Sequence, residues 1–392
     1  MAKKRRIEIK DSDLQGLKYF KMLKPLLDRL HDNAVARDRA DNRRLFFDQY
    51  ACLVLLYFFN PIVTSLRGIQ QASTLAKVQK LFGCERVALG SLSEASRVFD
   101  PELLQEIIGE LAESAQPLLV GKEAEALRGL TAVDGSLLPA LPKMAWALWL
   151  DDRNRAAKMH VHFDVLKGVP THVDITAGQG SERDQLRASL QPGGFYVIDR
   201  GYRDWAFFQE IIAAGASFVG RVQDNTVIHA AEERPLTAAA QAAGIVRDVV
   251  IDKTGNDRHA NLLKHPMRII VIDTGKHLLN GKPDLVTLCT NRLDLPAEMV
   301  GMAYKYRWVI ELFFRWFKCI LGCRHLLSTS ENGVTIQIYL GIIASLLISL
   351  WTGKKPTKRT FEMLRFYFMG WATDEEVIAH LEALSNHLPQ TK

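Results

Sequence analysis

A single carboxylate lies within a strongly apolar run at residues 303–318, AYKYRWVIELFFRWFK. At about 100° per residue, a helix places Glu311 outside its apolar sides. There it shares a narrow polar stripe with Tyr304, Arg307 and Lys318. One carboxylate among cations and a tyrosine is suited to holding a divalent metal ion beside a phosphate backbone. The alternative is a half-exposed helix with surface ion pairs, each contributing only about 0–1 kcal/mol.

A metal ion at Glu311 needs further ligands, because Mg²⁺ usually binds a few carboxylates together with water and substrate phosphate. Two aspartates follow short apolar runs: Asp134 precedes Gly135, and Asp199 follows Tyr-Val-Ile. Asp273 has a similar position, but it belongs to a different segment, where an aspartate typically starts a turn. Taken singly, Asp134 and Asp199 are also typical of turns at strand ends, so the residues alone leave both roles open.

The segments around the two aspartates alternate between strand and helix patterns. GLTAVDGSLLP (129–139) is an apolar strand, and residues 158–178 have a period of two that indicates a hairpin with one buried face. A helix, a strand, a helix and a strand follow at 181–190, 193–202, 205–214 and 217–223. Three strands followed by this alternation predict a mixed α/β sheet.

The pattern changes again from about 224 to 290. Three strand-like segments, at 246–252, 267–273 and 284–291, are separated by Gly, Asn and Asp residues typical of turns. This part of the chain therefore indicates a β-rich insertion. Helical patterns return after Pro296 and continue to a helical tail near 374–387.

One segment, 332–353, has no charged residue and is long enough to span a membrane. Polar residues interrupt its apolar character at Thr335, Gln337, Ser345 and Ser349, and it is the only such segment of the sequence. We therefore favour a buried core helix over a membrane span, and we expect no membrane partner.

The first 125 residues have helical patterns. Residues 43–60 form an apolar-rich run that ends at Asn60-Pro61, because a proline generally ends a helix at the preceding residue. A helix, a turn and a second helix follow at 65–82, 83–90 and 91–99. Ser91 and Glu94 have the spacing of a capping box. The arrangement is compatible with a helix-turn-helix that reads a major groove, although the residues alone slightly favour an ordinary helical hairpin.

The bulk composition gives weaker guidance. A net charge of +6 and a pI of about 9.0 suit a polyanionic partner, but the excess is small for 392 residues. Basic runs at Lys3–Arg6 and Lys354–Arg359 are more typical of solvated ends than of DNA contacts. The cysteines are scattered, which indicates a reducing compartment. Cys319, Cys323 and His325 lack the paired spacing of a zinc site.

Taken together, the polar stripe and the two aspartates resemble a known family. The stripe has the spacing Y-x2-R-x3-E-x6-K, which matches the Y-R-E-K signature of the insertion-sequence-4 family of bacterial DDE transposases. VDGS (133–136) and VIDRGY (197–202) look like the first and second aspartate motifs of that family. The long interval from Asp199 to Glu311 accommodates the β-rich insertion that such transposases carry there.

The resemblance implies a ribonuclease H-like core in which Asp134, Asp199 and Glu311 hold two divalent metal ions, Mg²⁺ or Mn²⁺. Two such ions activate the attacking oxygen and stabilise the leaving oxygen in an in-line displacement at phosphorus. It also implies two reactions: water nicks the transposon end, and the freed 3′-hydroxyl then joins that end to target DNA.

The resemblance also implies DNA contacts. Tyr304, Arg307 and Lys318 are expected to bind the terminal phosphates. Trp308 could stack on a base, although packing explains this residue at least as well. The remaining expected contacts are Arg315, Arg200 and Tyr202. The N-terminal helices are expected to read double-stranded terminal inverted repeats, and the C-terminal helices to join two protomers in a homodimeric synaptic complex.

The expected fold class is α/β, a ribonuclease H-like mixed sheet with a β-rich insertion and helical regions at both ends. We expect five segments along the chain. They are a helical DNA-binding region (1–125), the first part of the catalytic core (126–223), the β-rich insertion (224–290), the second part of the core with the Glu311 helix (291–350) and a helical tail (351–392).

The expected setting is the bacterial cytoplasm, in association with the nucleoid. The alternative function is that of a catalytically retired transposase that acts as a sequence-specific DNA-binding protein. The three intact acids argue against this alternative, because decay usually removes one of them.

Overall fold

The computed structural model describes residues 25–31, 44–140, 143–149, 154–223, 226–255, 261–321, 326–353 and 357–384. The strands are β1 (Leu130–Pro139), β2 (Ala156–Asp164), β3 (Val169–Ala177), β4 (Phe195–Ile198), β5 (Ser217–Arg221), β6 (Ala230–Glu233), β7 (Ile245–Thr254), β8 (Asn261–His277) and β9 (Pro283–Thr290). The helices are α1 (Phe47–Phe59), α2 (Leu66–Ala72), α3 (Ala76–Phe82), α4 (Leu89–Val98), α5 (Glu102–Ser114), α6 (Lys122–Ala126), α7 (Glu182–Ala188), α8 (Trp205–Ala213), α9 (Ala238–Ala242), α10 (Ala297–Tyr306), α11 (Trp308–Leu321), α12 (Glu331–Thr352), α13 (Lys358–Phe368) and α14 (Asp374–Ala383). The basic run Lys3–Arg6, the start of the run Lys354–Arg359, Cys323 and His325 lie outside the described residues.

The strands of the described segments form one nine-stranded sheet in the order β3-β2-β1-β4-β5-β9-β8-β7-β6. β2 pairs antiparallel with both β1 and β3, whereas β4 pairs in parallel with both β1 and β5. Among these five neighbouring strands, only β2 therefore runs in the opposite direction. This order and these directions are those of a ribonuclease H-like core, so the predicted α/β fold class is confirmed.

The β-rich segment continues the same sheet beyond β5. β9 pairs antiparallel with β5, and β8, β7 and β6 follow outwards. The side chain of Arg268 on β8 donates to both carboxylate oxygens of Asp248 on β7, at 2.8 and 2.6 Å, and to the carbonyl oxygen of Leu295. The insertion is thereby tied to the loop before α10. The sequence pattern does not predict β6, because its four residues are all exposed and show no apolar alternation.

Helices cover both faces of the sheet and bury two apolar cores. On one face, Phe207 of α8 packs in the core that contains Val133 of β1. On the other face lie α11, α12 and the N-terminal helices, and there the ring of Phe313 on α11 lies 5.2 Å from the ring of Phe163 on β2. The contact between these rings holds the helix that carries Glu311 against the sheet.

Among the described helices, α12 alone is long and apolar enough to cross a membrane. Most of its residues are buried, and it contacts α1, α4, α5, α11 and β3. The prediction of a buried core helix is therefore confirmed. At its start, the side chain of Asn332 donates to the carbonyl oxygens of Ser96 and Phe99 at the end of α4. This contact fastens the N-terminal helices to the half of the chain that carries Glu311.

Helix α1 ends where the proline after it predicts, since it stops at Phe59 and Asn60 caps it. The single helix predicted over 65–82 is wrong, because α2 and α3 are separate helices. Ser73 lies at the break, where its hydroxyl accepts a hydrogen bond from the backbone N–H of Val87 at 3.0 Å. The break is therefore stabilised by a contact distant along the chain.

The predicted capping box of the next helix is also wrong. α4 begins at Leu89 rather than at Ser91, with Ala88 as its N-cap and no capping side chain. Ser91 already lies inside the first turn. A helix, a turn and a helix are nevertheless present as α3, residues 83–88 and α4, and their role as a DNA-reading pair stays a prediction, as does the division of the chain into five segments.

Candidate active site

Asp134 lies on β1 at the point where this strand runs past its neighbour. β4 pairs with β1 only as far as Ala132, so Asp134 is beyond the last paired position. The backbone N–H of Gly135 donates to Asp134 Oδ1 at 2.8 Å. One carboxylate oxygen, Oδ1, is thereby held by the backbone of the strand itself, and the other oxygen, Oδ2, is turned away from this hydrogen bond.

Asp199 lies directly after the neighbouring strand. β4 ends at Ile198, which shortens the strand predicted over 193–202. Asp199 then caps a 3₁₀ turn at Arg200–Tyr202, and its Oδ1 accepts a hydrogen bond from the N–H of Gly201 at 2.7 Å. Asp134 therefore lies within β1, just past its pairing with β4, whereas Asp199 directly follows β4, and each aspartate has one oxygen held by a backbone amide.

The two carboxylates are near enough to affect each other. The pKa of Asp134 is raised to about 7, first by burial and then by the negative charge of Asp199. The charge of Glu182 raises this pKa further, while the N–H of Gly135 and the charge of Arg307 lower it. The middle of β1, around Asp134, thus carries more negative charge than its neighbouring cation offsets.

Glu311 lies on α11, one of the helices packed on a face of the sheet. The helix predicted across 303–318 is interrupted at Arg307, where α10 ends and α11 begins. The N–H of Arg307 donates to the carbonyl oxygen of Tyr304 at 3.1 Å, and the N–H of Ile310 donates to that of Arg307 at 3.2 Å. These bonds reach back only three residues and so tighten the turn. Glu311 is partly exposed, outside the apolar sides, as its angle on the helix predicts.

Arg307 connects the helix to the strands. Its Nη2 lies 2.6 Å from Glu311 Oε1, and its Nη1 lies 3.6 Å from Asp134 Oδ2. The guanidinium group also lies 5.8 Å from the centre of the Tyr304 ring. Only 14% of its side chain is exposed. Arg307 therefore lies between two of the three predicted acids, where it links them electrostatically.

The chemistry of these residues fits a divalent cation. Within the described part of the chain, no three His, Cys, Asp or Glu side chains lie close enough to hold one ion together. Glu311 instead reaches Asp134 through Arg307. Carboxylate oxygens are, however, the ligands that Mg²⁺ and Mn²⁺ prefer, and the crowded charge at Asp134 and Asp199 is the kind that a cation neutralises. The family-implied ion therefore fits at the two aspartates.

The structure separates the predicted DNA contacts into accessible and buried residues. Arg200 and Arg315 are exposed, 40% of the surface of Trp308 is exposed, and Lys318 is half-buried. Tyr202 is only 1% exposed and packs within the core beneath α8. The prediction of a DNA contact at Tyr202 is therefore corrected, because its side chain is buried in the apolar core and is not accessible to DNA.

Lys158 and Glu182 form an ion pair near the site that no pattern in the sequence predicts. On the hairpin, which was predicted to have one buried face, Lys158 and His160 lie on the supposedly exposed face, yet His160 is buried. Lys158 Nζ lies 2.7 Å from Oε1 of Glu182, the first residue of α7. Sequence reasoning sees in Glu182 only the start of a helix that Ser181 caps, and Ser181 does cap it.

Comparison with known proteins gives a family match over the half of the chain that carries the three acids. A family model described as a transposase DDE domain matches residues 125–347, which is more than half of the chain. Asp134, Asp199 and Glu311 all lie within the matched residues.

Individual relatives have names of the same class. The chain is 28% identical to y4zB of Sinorhizobium fredii, named as a transposase, over 60% of this chain and 64% of that protein. It is 23% identical to a protein of Geobacillus stearothermophilus named as the transposase for insertion sequence element IS5377, over 80% of this chain and 79% of the relative. A Synechocystis protein named for insertion sequence element IS4SA is also 23% identical, over 68% of this chain and 72% of the relative. The chain thus spans less than two thirds of the first of these relatives.

A solved structure is also similar in part. The cryo-EM structure of the piggyBac transposase synaptic complex with hairpin DNA has a TM-score of 0.43 and 10% sequence identity. The similarity covers 97% of this chain and 86% of that chain.

Proposed function

The chain belongs to the family of transposases with a DDE domain, and we propose that it cleaves transposon ends and joins them to target DNA. The observation that carries the proposal is that Asp134 and Asp199 lie close enough on neighbouring strands to interact electrostatically, while Arg307 links Asp134 to Glu311. Acids gathered in this way from two strands and a helix suit metal-assisted transfer at phosphorus.

We assign Asp134, Asp199 and Glu311 to two divalent ions, Mg²⁺ or Mn²⁺. When bound, the ions activate the attacking oxygen and stabilise the leaving oxygen of an in-line displacement. The chain itself orients the ligands: the amides of Gly135 and Gly201 each hold one aspartate oxygen. In each aspartate the oxygen held in this way is Oδ1.

We assign phosphate binding to Tyr304, Arg307 and Lys318. Arg307 is suited to this role because its planar guanidinium can bind two phosphate oxygens at once. Its position against the Tyr304 ring limits its movement, so a phosphate bound there would be held beside Asp134. Arg200, next to Asp199, and Arg315 could meet the backbone further out, since both are exposed.

The proposed partners are double-stranded terminal inverted repeats and target DNA, bound by a homodimer in a synaptic complex. The candidate for reading the repeats is the helical pair α3 and α4, and Trp308 is the candidate for stacking on a base. The proposed setting is the bacterial cytoplasm, where the protein would be associated with the nucleoid.

The test is cleavage and strand transfer on a duplex that carries the inverted repeat flanking the gene, with Mg²⁺. Asp134→Asn, Asp199→Asn and Glu311→Gln should each reduce cleavage about 10³-fold or more. Binding of the duplex in a gel-shift assay should survive, because these changes remove no phosphate contact. Asp184→Asn, an acid on the exposed side of α7, is the matched control and should cleave normally.

Two outcomes would overturn the proposal. One is cleavage that persists in Asp134→Asn at the rate of the unmodified protein. The other is an unmodified protein that binds the repeat tightly but never cuts it, which would favour the alternative of a retired transposase acting as a DNA-binding protein.

A further inference from the structure

The two aspartates lie in a gap in the edge of the sheet. β4 ends at Ile198, directly before Asp199. β5 ends at Arg221, which the register of β4 and β5 places level with Asp199. Asp134 is level with Asp199 as well, since the last pair of β1 and β4 lies two residues before each of them. The short strands β4 and β5 therefore form the floor of the gap.

Longer strands extend past this level on both sides of the gap. β1 continues beyond Asp134 to Pro139 and stays paired with β2 along this extension. β9 pairs with Arg221 through Leu288 and begins five residues earlier at Pro283, where it is still paired with β8. Five residues at 3.3–3.4 Å each correspond to about 17 Å. β1 and β9 are about 14 Å apart, because three interstrand steps of about 4.8 Å separate them.

The first arm, the extended ends of β1 and β2 with their connection 140–155, presents Trp149. The exposed fraction of this residue is 39%. A Cβ atom placed on Gly178 would lie 2.8 Å from Trp149 Cβ, so the tryptophan lies directly against the backbone after β3. The N–H of Gln179 donates to the carbonyl oxygen of Leu148 at 3.1 Å. Trp149 is therefore held in place by the end of a neighbouring strand while part of its surface faces solvent.

The second arm, the extended ends of β8 and β9 with the turn 278–282, presents Leu279. This residue is fully exposed. The N–H of Leu278 donates to the carbonyl oxygen of Lys282, and the N–H of Gly281 donates to that of Leu278, each at 2.8 Å. Gly281 has a φ of 76°, and a three-residue loop with such a glycine is a common hairpin connection. The turn therefore holds Leu279 at the tip of the arm.

Single exposed apolar side chains are common on protein surfaces. These two differ in their location, since each belongs to an arm beside the aspartates, and in their charged neighbours. Cations meet phosphates and apolar side chains contact bases when a protein binds DNA. Each arm has one more basic than acidic residue in the sequence: Lys143, Arg153 and Arg155 against Asp151 and Asp152 in the first, and Lys276 and Lys282 against Asp284 in the second.

We propose that the two arms form a clamp for the DNA duplex of the transposon end, in which Trp149 and Leu279 make apolar contacts to bases on the two sides of the attacked phosphate. This inference rests on the proposed function, because that function supplies the duplex. A phosphate bound at Asp134 and Asp199 lies at the floor of the gap, so the duplex around it meets both arms. An aromatic ring can stack on a base, and a leucine can insert between base steps from the minor groove.

The spacing of the arms predicts where the contacts fall on the DNA. A separation of about 14 Å is the length of about four base pairs, at about 3.4 Å per pair. Both contacts are therefore expected within half a helical turn of the cut, or about five base pairs. Hydroxyl-radical footprinting of the uncut duplex should show protection there, and Leu279→Ser should lose part of it.

The main experiment measures the affinity of the full chain for a labelled duplex that carries the inverted repeat and its flanking DNA, by fluorescence anisotropy at several salt concentrations. Leu279→Ser and Trp149→Ala should each weaken binding about tenfold. Neither change removes a cation, so the slope of affinity against salt should stay the same, whereas Lys282→Gln should reduce that slope by about one. Leu262→Ser is the matched control, because this leucine is 82% exposed at the opposite end of β8.

Two further variants separate the clamp from an effect on folding. Trp149 lies against Gly178, so its truncation can disturb the first arm as well as remove a contact. Trp149→Phe keeps a ring and should recover most of the affinity. Leu279 is fully exposed, so Leu279→Ser should have the melting temperature of the unmodified protein.

The outcomes separate this inference from the function on which it rests. If the unmodified protein binds and cleaves the duplex while Leu279→Ser and Trp149→Ala bind equally well, the clamp is overturned and the proposed function stands. Normal binding and cleavage with impaired joining to target DNA would assign the arms to the target and also overturn it. A reduced salt slope in Leu279→Ser would do the same, because it indicates lost phosphate contacts. If the unmodified protein does not bind the duplex, the proposed function itself fails.

Discussion

Arg307 makes the contacts that organise the site at the scale of single residues. Its two terminal nitrogens reach different carboxylates, Glu311 and Asp134, and its plane lies near the Tyr304 ring. Only a planar group with several donors at fixed angles can make these contacts together. The same shape allows it to bind a phosphate in two places, so its exchange for lysine is not conservative.

We expect Arg307→Lys to reduce cleavage about 10²-fold, because one ammonium cannot hold Glu311 and meet Asp134 at the same time. Duplex binding should change much less, since the charge is kept. The measurement is single-turnover cleavage beside a gel-shift titration. Arg187→Lys, the same change at a 45% exposed arginine of α7, should behave like the unmodified protein. Equal cleavage by both variants would contradict this role.

The three catalytic candidates and Glu182 differ in how visible they are in the sequence. Asp134, Asp199 and Glu311 each interrupt an apolar pattern, so periodicity predicts Asp199 after a strand and Glu311 on a polar stripe, whereas β1 continues past Asp134 to Pro139. Glu182 begins an ordinary capped helix, and its contact with Gly135 depends on how α7 crosses β1. No local pattern encodes such a crossing. The burial of Tyr202 is hidden for the same reason.

At the scale of elements, the position of α10 depends on the insertion. The bidentate pair of Arg268 and Asp248 is buried, with 2% and 4% of the side chains exposed, and Arg268 also reaches the carbonyl oxygen of Leu295 just before α10. One side chain thus joins β7, β8 and the approach to the helix that carries Tyr304. Sequence patterns predict the strands here but not this pair, because its members belong to different strands.

We expect Asp248→Asn to lower the free energy of unfolding by about 3–5 kcal/mol, because it leaves the charge of Arg268 buried without its partner. The matched control is the exposed pair of Arg247 on β7 and Glu233 on β6. Glu233→Gln should therefore change the free energy by only about 0–1 kcal/mol. Urea denaturation of both variants measures the difference. Equal effects would mean that Arg268 finds another partner.

At the scale of the whole molecule, two histidines couple folding to pH. Burial lowers the pKa of His160 and of His162 to about 4, so both are neutral in the folded protein at neutral pH. In the unfolded chain their pKa is about 6.5. The unfolded state therefore binds more protons between about pH 6.5 and 4, and the contribution of these histidines to stability falls as the pH decreases through this range.

We expect this loss to be smaller in His162→Gln than in the unmodified protein. The comparison isolates the histidine, because carboxyl groups titrate in both proteins. The measurement is the free energy of unfolding in urea at several values between pH 7 and pH 4.5. Parallel curves for the two proteins would show that His162 does not contribute to the pH dependence.

The sequence predicts the overall architecture better than it predicts where the individual helices and strands begin and end. The alternation of strands and helices predicts the mixed sheet, and the period of two predicts the hairpin of β2 and β3. The break at Ser73 could not be predicted, since its hydroxyl is bonded to Val87 from another turn. The joining of the insertion to the same sheet was also beyond local patterns, because β5 and β9 are far apart in the chain.

The continuous sheet fixes the distances between its strands. From β4, which ends just before Asp199, to β8 there are three interstrand steps of about 4.8 Å, or roughly 14 Å. The chain leaves β5 for the far edge at β6 and returns strand by strand to β9, beside β5. Additional strands at that far edge would leave the distance from β9 to α10 unchanged. Relatives of different length could therefore keep the same active-site dimensions, because the tolerance for added length lies at the edge farthest from Asp134.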